Sequence, residues 1–155
     1  MNVPARDIAT LFGGEKVLGR KVRDYADLDA VIEAGLPVGA VDEIRNTVAG
    51  KTVVVRSRQA IAAFKRNNPE RVHGVGQGLF MAKAASPERS RKLERLARLY
   101  ALAERVFGGR AYANEFLHKP HSRLDGRAPI ECIETELATK QVEQILNAIA
   151  YGLPA

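Results

Sequence analysis

His118, His121, Asp125 and Cys132 are the residues whose types and spacing come nearest to a reactive or metal-binding constellation. A zinc site needs a second ligand pair at matching spacing, and none stands here. Pro120 also breaks the helix that would align the two histidines. They read as surface or loop histidines, and no metal ligand is assigned. Ser122 beside His121 is a polar loop pair rather than a catalytic dyad. Gly74-x-Gly76-x-Gly78 lacks the G-x-G-x-x-G spacing, the preceding strand and the acidic residue ~20 positions on that a dinucleotide site requires. No H-E-x-x-H, nucleophile elbow or P-loop occurs. The chain therefore reads as a non-enzyme, with no catalytic residue and no cofactor. The chemistry that remains is recognition. Lys119, His121, Arg123, Asp125 and Arg127 crowd one short loop, where Arg123 and Arg127 can offer bidentate hydrogen bonds to a carboxylate. Tyr151, Gly152, Leu153, Pro154 and Ala155 form a tail in which Tyr151 is either an aromatic anchor for a partner or a side chain packed back on its own helix.

The elements that must position these residues are helical. Thr135 is placed to cap a last helix in which Val142, Ile145, Leu146 and Ile149 recur at i, i+3, i+4, i+7, with Gly152 as its C′ residue. Pro129 starts a brief helix through Ile133, and Asp125-Gly126 turns the loop from His121 to Arg127. Arg110 to Lys119 reads as a short helix with Tyr112, Phe116 and Leu117 inward. Upstream, Ser86-Pro87-Glu88 combines a capping hydroxyl, proline at the first helical position and an acid in the first turn. The helix that follows runs to Phe107 and stops at Gly108-Gly109. Its C-terminal half is almost wholly apolar and is expected to be the central strut of the core. Glu88 with Lys92 and Glu94 with Arg98 stand at ion-pair spacing.

Nearer the N-terminus, Arg6 to Phe12 makes one or two turns ended by Gly13-Gly14, and a linker holding Val17 and Leu18 follows. A helix capped by Asp24 or Asp27 runs through Ala34, and Gly35 is its left-handed C′ residue. Val38 to Val48 forms the next, stopped by Gly50. Thr52 to Val55 is β-branched but short. Ser57 can cap a helix from Arg58 to Arg66, and Asn67, Asn68 and Pro69 end it. Helix, turn and second short helix is the plan of a helix-turn-helix module. The stretch Val72 to Phe80, with three glycines, is a poor recognition helix, since each glycine costs ~1 kcal/mol.

Charge divides the chain. Met1 to Gly50 holds 6 basic and 8 acidic residues, Lys51 to Arg98 holds 12 and 3, and Leu99 to Ala155 holds 6 and 7, so the net +6 comes from the middle third. That asymmetry points to a polyanion such as nucleic acid or to an acidic protein surface. A solvated basic face without a partner is the alternative. Arg56, Arg58, Lys65, Arg66 and Lys83 are the candidate phosphate contacts for operator DNA. A lone cysteine cannot form an internal disulfide, which fits a reducing cytoplasm. No apolar run approaches the ~20 residues of a membrane span, and the N-terminus lacks the apolar region of a secretory signal.

From about Pro87 onward the chain resembles the Xre/MbcA/ParS antitoxins. The motif residues are Ala113, Phe116, Leu117, Pro120, Leu124, Gly126, Pro129, Ile130, Ile133, Thr135, Glu136, Val142, Leu146, Ile149 and Gly152. KLERLARLYALAERVFGG is similar to that family's linker helix, and AVIEAGLPVGAVDEI to its N-terminal lead-in. Phe116 stands where the family usually has tryptophan, Asp125 at the first glycine of a pair, and Leu137 at a position often glycine. The segment Leu79 to Lys83 lacks the arginine-rich recognition helix of an Xre-like domain.

The resemblance implies an all-α chain, with a degenerate helix-turn-helix, Xre-like region over residues 1–85 and a toxin-binding domain over 86–155. It implies a cognate toxin with a RES domain that consumes or transfers from NAD, neutralised when the C-terminal domain covers the NAD cleft. A homodimer or a larger hetero-oligomer with toxin, and autorepression through operator DNA, follow as expectations. A stand-alone helical transcription regulator is the other reading.

Overall fold

A computed structural model of the chain describes residues 2–49 and 85–154, and within them every regular element is helical. The N-terminal part comprises α1 (Ala5–Leu11), α2 (Gly14–Leu18), α3 (Tyr25–Ala34) and α4 (Val38–Ala49). The expected Val17–Leu18 linker is in fact α2, a single turn entered and left through the positive-φ glycines Gly13 and Gly19. Its Val17 and Leu18 pack on the core, so burial of two apolar side chains decides the local conformation. Asp24 caps α3 by accepting from the Asp27 amide at 2.9 Å. Gly35 has positive φ but an extended ψ of 130°, so α3 ends without a left-handed cap.

The long helix α5 (Pro87–Phe107) begins on Ser86, whose hydroxyl accepts from the Arg89 amide, and ends on left-handed Gly108. From Leu96 to Ala103 all of its side chains but Arg98 are buried. α5 contacts α1, α3 and α4 on one side, and on the other α6 (Arg110–His118), the 3-10 turn Pro129–Glu134 and α7 (Glu136–Ala150). The strut role expected of its apolar half is thus observed, and buried side chains of both halves meet around it. The expected Glu88–Lys92 spacing gives way to a longer-range pair, with Lys92 Nζ 2.5 Å from Glu134. The Glu94–Arg98 pair forms at 3.7 Å.

Two hydroxyls that sequence patterning passes over join these parts. Ser90, fully buried, accepts from the Leu36 amide at 2.9 Å, and the Ala85 amide donates to Leu36 O at 2.7 Å. Thr139, also fully buried, lies 2.9 Å from Thr135 O and 3.1 Å from Cys132 O, fastening α7 to the turn before it. Neither carries a periodic signal, because a small hydroxyl among charged or polar neighbours looks like any surface residue.

Tyr112 departs from expectation. It lies 64% exposed, while Ala113 and Leu117 take the inward face of α6. Phe116 is half-buried and stacks at 5.2 Å, tilted, on Phe107. The residues Arg56, Arg58, Lys65, Arg66 and Lys83, and the helix-turn-helix read over 57–80, lie outside the described residues.

Candidate partner-binding site

The loop after α6 is closed on itself. His121 N donates to Arg127 O at 3.1 Å, and Leu124 N and Gly126 N both donate to His121 O. Asp125 at φ 56° and Gly126 at φ 76° make the reversal. Leu124 is the pin: it is 1% exposed and sits in the core, so the polar residues on either side are turned outward. Lys119, Arg123, Asp125 and Arg127 are exposed. His121 is half-buried, its ring edge-on to Phe116 at 6.2 Å and its Nδ1 accepting from the Arg123 amide at 3.2 Å. The Arg127 guanidinium folds back, Nε donating to Leu124 O at 3.3 Å.

The last helix delivers the tail beside this loop. Thr135 caps α7 through the Ala138 amide, and Glu131 reaches back to the Ala128 amide at 2.8 Å to fix the preceding turn. At the far end Gly152 N donates to Ile149 O at 3.1 Å and Leu153 N to Ala148 O at 2.8 Å, the paired bonds of a Schellman cap around Gly152 at φ 67°. The chain therefore leaves the helix in a fixed direction. Arg123 Nη1 then donates to Pro154 O at 3.3 Å. The two segments singled out from sequence, separated by a turn and a helix, meet at that bond. Tyr151 is 67% exposed and Leu153 60% exposed, so Tyr151 does not pack back on its own helix. Ala155 lies outside the described residues.

The geometry offers an exposed polar surface ordered by its own hydrogen bonds. Cys132 is 1% exposed, and burial pushes its thiol up, with Arg127 opposing, which works against thiolate formation. His118 Nδ1 is held 2.8 Å from Asn114 O. A cleft of about 510 Å³ between α3, α5 and the start of α7 is lined by Tyr25, Leu28 and Ile32 and by charged groups, most of which have partners within the fold. Arg91 pairs with Glu33, and Arg95 Nε donates to Ile133 O at 2.6 Å. Arg98 reaches Glu136 at 2.8 Å, and its Nε lies 2.8 Å from Glu143 as an ion pair not aligned for a hydrogen bond. Burial pushes the Glu94 carboxyl up, with Arg98 opposing. These pairings also bear on the basic middle third. Arg91, Lys92 and Arg98 are matched by acids from the other two thirds, so that part of the positive excess is neutralised within the fold.

The sequence that carries this loop and α7 is similar to known proteins. Residues 102–152 match the model of the antitoxin Xre/MbcA/ParS C-terminal toxin-binding domain. The antitoxin Xre of Pseudomonas putida (strain KT2440) is 40% identical over 65 residues, which are 42% of this chain and 41% of that protein. The match thus spans about two fifths of the relative's length. The matched segment takes in the closed loop, α7 and Gly152, and the tail residues Leu153 and Pro154 lie just beyond it. No helix among the described residues is long and apolar enough to cross a membrane.

Proposed function

We propose that the chain is the antitoxin of a type II toxin–antitoxin pair, and that the face made by Lys119 to Arg127 and by Tyr151 to Ala155 docks on its toxin. One observation carries the reading: the loop inside a segment similar to a toxin-binding domain is bonded, through Arg123, to Pro154 of the tail just beyond that segment. A surface already ordered in the free chain loses little conformational entropy on binding, which favours tight steric blocking. The toxin is a RES-domain enzyme acting on NAD, and its cleft is closed by Tyr151 and the tail beyond it. Removing residues 152–155 is expected to abolish protection of cells expressing the protein encoded by the adjoining reading frame. Undiminished protection would refute the role of the tail.

A second activity is carried by the +9 balance over residues 51–98. Operator DNA held through Arg56, Arg58, Lys65, Arg66 and Lys83 gives autorepression. Because phosphate binding releases counterions, gel-shift affinity must fall steeply with added salt. Salt-independent binding would exclude it, and failure to co-purify with the adjoining gene product would favour a stand-alone regulator.

A further inference from the structure

The outward side of α7 differs from the other exposed helix faces. α3 turns Asp29 and Glu33 to solvent, and α5 begins with exposed Glu88, Arg89 and Arg91. On α7 the residues Leu137, Gln141, Gln144, Ala148 and Tyr151 recur at spacings of four and three and so share one stripe. None is charged. Leu137 is 75% exposed at one end and Tyr151 67% at the other, about 21 Å apart at ~1.5 Å per residue. The acids of the helix lie to one side, where Glu136 and Glu143 are taken up by Arg98, and exposed Lys140 borders the stripe on that same side. A helix of a charged protein that keeps its outer stripe neutral can be stripped of water at low cost, which is the composition of an interface core.

Area indicates what covers it. The loop and tail offer about a dozen residues, whereas a stable interface engages ~20–30 a side. A contact made by a second copy along one helical stripe alone falls short of the same requirement. The stripe is continuous with the tail through Tyr151. We infer that the toxin's footprint extends along α7 from Tyr151 to Leu137, and that it meets the stripe with an uncharged surface: an apolar pocket for Leu137 and amide-bonding groups for Gln141 and Gln144. This rests on the antitoxin reading above and carries the contact one helix length beyond the loop and tail.

The test titrates the full chain with a catalytically inactive form of the adjoining-frame protein. Leu137→Glu places an acid in the first turn of α7, where the helix dipole favours it, so the fold is not weakened. Gln144→Lys adds the opposite charge mid-stripe. Both are expected to raise Kd tenfold or more with an unchanged melting temperature. Loss with both signs of charge marks desolvation at a buried contact, since a long-range field would favour one sign. Arg123→Ala with residues 152–155 removed serves as the reference for the parent reading. If that variant loses binding and the stripe variants do not, the extended footprint is wrong and the tail site stands. If the stripe variants instead alter the sedimentation of the free chain at unchanged Kd, a second copy covers the face and the inference is overturned. If every variant binds as before, the antitoxin docking face fails with it.

Discussion

Gly152→Ala isolates a single physical quantity. At φ 67° the glycine occupies the left-handed region, and a Cβ built there meets nothing within 4 Å. The substitution therefore costs only backbone strain, about 1–2 kcal/mol for an L residue in that region. The chain can bear the strain or relieve it by unwinding the cap. Two backbone bonds and the Arg123–Pro154 contact hold the tail, and Tyr151 and Leu153 are mostly in solvent, so unwinding is the cheaper course. Binding must then rebuild the tail, and Kd for the toxin rises by roughly 5–30-fold. Calorimetric titration reads the change directly, and amide exchange at Leu153 reports the cap. Gly152→Asn, which tolerates the left-handed region better, is expected to lie between the two. An alanine variant with a frayed tail but unchanged Kd would remove the tail from the interface. Unchanged exchange, stability and Kd together would refute the strain argument itself.

Leu124→Ala deletes the pin of the loop, and core truncations of this kind cost about 2–5 kcal/mol; denaturant unfolding should show that loss, with weakened partner binding. Tyr100 is fully buried and its hydroxyl finds no hydrogen-bond partner among the described residues. Tyr100→Phe relieves an unmade hydrogen bond and is expected to leave stability unchanged or raise it by about 1 kcal/mol, measured by the same unfolding midpoint. Burial raises the Glu94 pKa above its ordinary value, with Arg98 only partly opposing. A raised folded-state pKa means the fold favours the protonated acid, so this group's contribution is full at low pH and lost as pH rises through the carboxylate range. Glu94→Gln should therefore gain on the parent chain in melting temperature as pH increases from 4 to 7, and a difference that stays flat would contradict the assignment.

The helices and their ends were legible in the sequence wherever a local rule is complete within a few residues. Ser86-Pro87 at the start of α5, Asp24 and Thr135 as caps, and Gly108 and Gly152 as stops each depend on hydrogen bonds or dihedrals spanning at most five positions. The apolar strut of α5 was equally plain, because burial on one side imposes a helical period. Tyr112 shows where periodicity fails: an aromatic at an inward spacing is left outside when a smaller neighbour, Ala113, fits the close approach of two helices. Charge spacing failed likewise for Lys92, which found Glu134 across the fold instead of Glu88 one turn back. The loop residues and the tail were each readable as polar or terminal. Their union through Arg123 and Pro154 depends on how α7 lies against α5 and the turn before it, a long-range packing outcome that no local pattern encodes.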